Sequence, residues 1–397
     1  MVGLFSIQAM VFDNRYFPLI QEPFITVPDR PSHLRADLFA TTGSKANGAR
    51  ETYIGIPEMF GTFDLALLGR AFLLAGLPSP LTPVQTAAQL NFIMEGKIQT
   101  QGIQFAYYQQ VFCFLGAGIY LMAMQSDSSL NFFFNHAEST LKPSAPDVLE
   151  LEDTLRSMLA QLGLRSNHVH QSGFGDIDAY VRIGQRWEFL YKFRSIEAGL
   201  RVGVLVPTGV RRNIFQPASV SYGGDDYWGV YASLDSEFEI REDWKAGIVL
   251  RASKRFAGTH EQRMPADLEQ PLFGVLTGSA QVTPGWTGIF SPYVTFENMR
   301  AGLGFRGQYT LIAHQNDRWL DQRLNKEIPA NVCAWEKTSG WSSEYITLTG
   351  FYDFGKMKVE RCADPIVVFS WYIPVALLVA KHAVRSYKVR LGLEYNF

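Results

Sequence analysis

The sequence predicts an all-β protein: a closed antiparallel transmembrane β-barrel of about twelve strands, with fourteen as the alternative, and short helices in its long external loops. Three observations predict it. Segments of alternating apolar and polar residues recur through the 397 residues. The connections between them alternate short and long. No apolar stretch reaches the ~18 residues of a spanning helix; the nearest, Ile366–Ala380, is too short and carries Pro374 near its middle. A chain without such a stretch crosses a membrane only as strands of a closed barrel, where every backbone group pairs with another strand.

Composition allows this and excludes a nucleic-acid partner. The formal net charge is −2, and Lys and Arg are scattered without a basic block. Charged residues stay at 19 % and aromatic residues reach 14 %, as suits a wall that shows lipid an apolar band between aromatic girdles.

The last strand, Tyr387–Phe397, is the clearest element. Tyr387, Val389, Leu391, Leu393, Tyr395 and Phe397 fall on one face, and Lys388, Arg390, Gly392, Glu394 and Asn396 on the other. A period of two over this length matches one tilted membrane strand of ~9–11 residues. A terminal Phe with Tyr two places before it resembles the C-terminal assembly signal of bacterial outer-membrane proteins. That resemblance implies that Tyr395 and Phe397 are read by the barrel-insertion machinery, and it places the chain in the bacterial outer membrane.

The other strands follow in order. Gly175–Gly184 sets Ile177, Ala179, Val181 and Ile183 outward against Asp176, Asp178, Tyr180 and Arg182. Ile196–Val206 sets its aliphatic residues against Glu197 and Arg201. In Trp228–Ile240, Tyr231, Asp235, Glu237 and Glu239 face inward; after a short turn, Lys245 and Arg251 do so from Trp244 onward. Met299–Leu311 directs Arg300, Arg306 and Gln308 inward. His33–Thr42, Ile98–Val111, Phe114–Met124, Trp286–Phe296, Trp341–Phe354 and Ile366–Ala380 complete the count. Trp187, Trp228, Trp244, Trp286 and Tyr395 recur at strand ends, where a membrane interface favours them.

Short links fall near Phe112–Cys113, Trp187–Ser195, Arg241–Asp243, Glu297–Asn298 and Gly355–Asp364. Long ones fall at Gly43–Lys97, Gln125–Phe174, Pro207–Asp225, Arg255–Gly285 and Gln315–Gly340. Short periplasmic turns and long external loops make this pattern. Pro57–Gly76 and Ala145–Gly163 have helical periodicity; the second carries Leu149, Leu155, Leu159 and Leu162 on its apolar stripe and Gly163 as its stop.

Residues 1–9 read as a signal-peptide remnant, 10–32 as an extended arm or plug rich in proline, and 33–397 as the barrel. Cys113, Cys333 and Cys362 have no metal spacing and are read as unpaired thiols, although a Cys113–Cys362 bridge stays open.

The inward charges are candidate lumen contacts on a solute path: Asp176, Asp178, Arg182, Glu197, Arg201, Asp235, Glu237, Lys245, Arg251, Arg300, Arg306, Lys388, Arg390 and Glu394. Their near balance fits a salt-bridged interior as well as a lined pore. Inward Gly199, Gly203, Gly247, Gly302, Gly304 and Gly392 leave room for a plug, water or a solute. His168, His170 and Ser172, with Asp176 and Asp178 beyond, supply the residue types of a nucleophile–base relay or a metal pair; rim-exposed polar residues are the plainer account. No phosphate loop, cofactor motif or third metal ligand accompanies them.

The leading expectation is passage of small solutes across the outer membrane without cofactor, metal or catalytic residue, in contact with outer-membrane lipid. The alternatives are a closed structural or adhesive barrel acting through its external loops, and a barrel hydrolase at the outer surface. The long-chain fatty acid transporter family looks similar in outline, but none of its residues carries over.

Overall fold

The computed structural model describes residues 14–23, 32–48, 52–164, 166–189, 193–300, 302–355 and 365–397. The predicted signal remnant and Cys362 lie outside them. Twelve strands form the wall: β1 (His33–Gly43), β2 (Asn91–Phe112), β3 (Leu115–Phe134), β4 (Ile177–Glu188), β5 (Ser195–Val206), β6 (Gly229–Arg241), β7 (Trp244–Arg255), β8 (Trp286–Arg300), β9 (Leu303–His314), β10 (Trp341–Asp353), β11 (Pro365–Val375) and β12 (Tyr387–Asn396). Each pairs antiparallel with the next, and β1 pairs with β12, so the sheet closes as a simple meander. His33 faces Asn396, and Thr42 faces Tyr387. Closure leaves no unpaired edge to meet lipid.

Alternation orients the wall as the sequence predicts. On β12, Leu391 is 53 % exposed while Arg390 is 4 % exposed. Leu200, Val202 and Val204 are exposed on β5, with Arg201 buried between them. Trp187 and Trp244 lie exposed near the turns at one rim, and Trp228 and Trp286 near the loops at the other. An apolar belt bounded by tryptophans is the surface that a bilayer requires.

β2 and β3 exceed their predicted limits. At 22 residues β2 spans roughly 70 Å at ~3.3 Å per residue, well beyond a ~30 Å hydrocarbon layer. Their outer ends turn polar on the outward face, with Glu95, Lys97, Gln99 and Gln101 on β2 and Gln125, Asp127 and Ser129 on β3. The extra strand His168–Phe174 extends the wall there by pairing with Ala123–Ser129, separated from β4 by a break at Gly175–Asp176.

The inward glycines do not leave open space. Their neighbours' large side chains fill it: a Cβ on Gly118 would lie 2.3 Å from Tyr180 Cζ, on Gly203 2.4 Å from Tyr231, and on Gly247 2.4 Å from Tyr293. Gly302 belongs to a turn, at φ +92°. Ring-over-glycine stacking lets a narrow barrel hold bulky residues and pins the register.

The long loops build a cap. Instead of one helix over 57–76, a 3₁₀ turn (Ile56–Phe60) is separated from α1 (Leu65–Leu74) by Gly61, at φ +114°. Asp64 caps α1 by accepting the Ala66 amide at 2.9 Å. α2 (Pro83–Ala87) is short. α3 (Ala145–Gln161) has a Ser144–Asp147 capping box and stops before Gly163, at φ +73°. Leu151, Leu155, Met158 and Leu159 are buried, whereas Leu149 is exposed. Leu149 lies six residues before Leu155, about 240° around the helix at ~100° per residue, so it cannot share that stripe. α4 (Val332–Ser339) and a three-stranded sheet (Gly258–Met264, Leu276–Thr283, Arg318–Asp321) complete the cap. Phe63, Phe132 and Phe273 meet at its centre, with ring centroids 5.1–5.6 Å apart.

Candidate functional site

Residues 14–23, the described part of the arm, run inside the barrel. At the outer mouth Asn14 Nδ2 donates to the Ser221 and Gly223 carbonyls at 3.1 and 2.9 Å, and Arg15 Nη2 to those of Thr338 and Ser339 at 2.8 and 2.7 Å. Deeper, Gln21 Nε2 donates to Ser233 Oγ on β6 at 2.9 Å, and Gln308 Nε2 on β9 donates to the Gln21 carbonyl at 2.9 Å. The carboxylate of Glu22 then docks on three adjacent strands of the wall, β11, β12 and β1. It accepts from Arg35 Nη1 on β1 at 2.7 Å, from the Tyr372 hydroxyl on β11 at 2.8 Å, and from Arg390 Nη2 on β12. Proline-rich chain cannot join a ladder at every residue, so side chains fasten this segment to several strands.

Beside Leu19–Glu22 lies a cavity of about 110 Å³. The cations Arg35, Arg201, Arg251, Arg306, Lys388 and Arg390 line it, with the carboxylates Glu22, Asp37, Asp178 and Glu394. The Arg251 guanidinium lies 3.4 Å over the Tyr231 ring, whose hydroxyl donates to Asp178 at 2.8 Å.

Towards the base, the charges pair. Arg182 bridges Asp235 at 2.7 Å and Glu197 at 3.0 Å, while Arg201 meets Asp235 at 3.3 Å. Lys245 contacts Glu297 at 2.8 Å and Glu237 at 3.4 Å. Such networks hold buried charge only when partners surround it.

Thirteen of the fourteen candidate lumen residues thus sit inside the wall or at its inner break; the side chain of Arg300 lies outside the described residues. Asp176 stands apart from the rest, clamping a loop at the break through Arg255 at 2.8 Å. The sequence reading missed Glu22, Arg35, Asp37, Tyr372 and Arg255. The alternation of Leu34 and Leu38 with Arg35 and Asp37 could have revealed two of them; Glu22 belongs to irregular chain and leaves no periodic signal.

A second cavity, of about 160 Å³, lies at the mouth among Arg15, Phe60, Arg212, Tyr227, Trp319 and Trp335. The Trp319 and Trp335 rings stack at 5.1 Å, and the Arg212 guanidinium sits 5.1 Å over Trp335. Burial pushes the Arg15 guanidinium down to about 10, still protonated at neutral pH, and raises the Tyr227 phenol.

His168, His170 and Ser172 do not assemble with Asp176 or Asp178. All three are exposed on the outward face, whereas both aspartates are buried inside. His170 Nδ1 meets Asp127 Oδ1 at 2.7 Å instead, across the strand pair. Among the described residues no group of three or more His, Cys, Asp or Glu could hold a metal ion. Cys113 and Cys333 are free and exposed.

No protein-family model matches the chain, and no curated protein matches it. Among solved structures, an outer-membrane channel from Pseudomonas putida F1 is similar at a TM-score of 0.50 and 9 % identity, over 94 % of this chain and 97 % of that one. This likeness shows the fold. A mutant of the monoaromatic hydrocarbon channel TodX (TM-score 0.36, 11 % identity, 99 % and 100 % covered) and a Pseudomonas aeruginosa FadL homologue (0.34, 10 %, 93 % and 91 %) are more distant. The closed barrel, its apolar belt and its tryptophan rims locate the protein in the bacterial outer membrane.

Proposed function

We propose that this outer-membrane barrel is a channel for small solutes, closed at rest by its own N-terminal arm. One observation carries the reading. Residues 14–23 lie within the lumen beside a cavity, yet side-chain hydrogen bonds, ion pairs and a backbone bond from the Val384 amide to the Arg15 carbonyl at 2.9 Å hold them, not a strand ladder. A segment held in this way can be displaced without opening the wall. The inward charges, from Asp178 to Glu394, are then the solute path, and no cofactor, metal or catalytic step is needed. Tyr395 and Phe397, exposed at the end of β12, are the features that the insertion machinery would read.

The test compares the refolded full chain with a variant lacking residues 10–23 in planar bilayers, after both show heat-modifiable gel mobility. The variant is expected to give steady current steps and the full chain brief openings. Silence from both folded proteins would overturn the reading. It would favour a closed barrel acting through its external loops, a second reading supported by the extended apolar core into which most of those loops pack.

A further inference from the structure

The seat of Glu22 has the chemistry of a ligand site. Arg35 and Arg390 approach the two carboxylate oxygens from neighbouring strands, and the Tyr372 hydroxyl donates to one of them at 2.8 Å. Arg390 Nη2 also donates to Ser370 Oγ at 2.9 Å, and Arg35 Nε to Asp37 Oδ1 at 2.8 Å, so both guanidinium groups are held in place independently of Glu22. The geometry is that of a charge-assisted carboxylate site. Its occupant, however, comes from the arm and not from the wall.

We propose that this is the solute-binding site of the channel, that its ligands are small organic carboxylates, and that Glu22 occupies it as an internal stand-in. The proposal rests on the channel reading above. The charge of the cavity supports it: six cations already outnumber four carboxylates there, and removing Glu22 widens the excess. The wall of the cavity is also aromatic, with Tyr120, Tyr231 and Tyr372 in its lining. A carboxylate carrying an apolar or aromatic body fits both features, whereas an inorganic anion would use only the first. Displacement of Glu22 by such a solute releases the ion pairs that fasten the arm at mid-lumen, so ligand binding and opening draw on the same contacts. The interior looks balanced from the sequence because the strands alone show only the wall charges. The seat is visible only when the arm is threaded beside them.

The test uses benzoate, with benzamide as the uncharged isostere, on full-length protein in detergent by calorimetry. Glu22→Gln keeps the shape of the arm and removes the competing charge. A site occupied by its stand-in about nine-tenths of the time binds a competitor about tenfold more weakly than a vacant one. The expected result is therefore benzoate binding about tenfold tighter in E22Q than in the parent, abolished by adding Arg390→Gln, with benzamide ignored throughout. The variant lacking residues 10–23 should bind benzoate like E22Q, which covers the case in which E22Q does not fold. Equal benzoate affinity in all folded proteins, or equal binding of benzamide, would overturn the proposal. Conductance separates the two readings. Current without benzoate selectivity leaves the channel and removes the carboxylate site; benzoate binding by a variant that carries no current keeps the site and removes the channel.

Discussion

Asp176 offers the sharpest test of how the cap is fastened to the barrel. It is fully buried at the break between His168–Phe174 and β4. One carboxylate oxygen meets Arg255 Nη2 and the Gly224 amide, each at 2.8 Å; the other accepts the Gly209 amide at 3.2 Å. Gly209 and Gly224 belong to the loop between β5 and β6, so one side chain joins that loop to two points on the wall. Asp176→Ala leaves a buried guanidinium without its carboxylate, a change that costs ~3–5 kcal/mol when nothing replaces the partner. Each stranded amide adds ~1–3 kcal/mol if it finds no water. Because both amides lie near the wet mouth and the losses share one site, we expect about 4 kcal/mol in total, nearer the ion-pair value than the sum. Asp176→Asn keeps an acceptor for the amides and should lose about half as much. Reversible urea unfolding in lipid vesicles, followed by tryptophan fluorescence, measures both. An alanine variant that unfolds within ~0.5 kcal/mol of the parent, the range of an inert surface change, would refute the view that this carboxylate holds the loop.

Further expectations concern the wall and the mouth. Leu391→Arg puts a charge on the lipid face and should cost ~2–4 kcal/mol near the bilayer midplane in the same unfolding assay, whereas Leu324→Arg, on an exposed external loop, should change nothing measurable. Gly118→Val drives a side chain into the Tyr180 ring, with the built Cβ 2.3 Å from Cζ, and should cost ~1–3 kcal/mol by overpacking; the Tyr180→Ala background should reduce that penalty. On the external sheet, burial and then the nearby Arg211 push the His260 imidazole below its ordinary value, with Asp226 opposing at 3.9 Å. The native sheet therefore binds fewer protons than the unfolded chain between that lowered value and about 6.5. Its stability should rise with pH across that window and fall on acidification; amide exchange at Gly258–Met264 measured on either side of pH 6.5 should show the difference, and His260→Gln should remove it.

The relation of sequence to site differs from strand to strand. β12 is legible residue by residue because Leu391 and Leu393 must face lipid while Arg390 must not. On β2 the alternation is readable only from Ile98, seven residues past the start at Asn91, because Glu95 and Lys97 break the apolar face where the strand leaves the membrane. The charged lumen of β4–β7 followed from the same alternation. The exchange of partners did not: nothing local pairs Arg182 with Asp235, 53 positions apart, or sets His170 against Asp127 and not Asp176.

The sequence by itself determined the wall, its inside and its outside, because lipid on one side and pairing charges on the other impose a period of two wherever the chain crosses; closure of the sheet then decided for twelve strands over fourteen. Only the tertiary structure decided what fills the barrel. The loops turn apolar residues without strand periodicity into a common core. Glu22, in a segment with no repeating pattern, acquires its partners only once β1, β11 and β12 close the wall around it. Periodicity records the solvent that each face meets, and it carries no record of which distant side chains meet across the lumen.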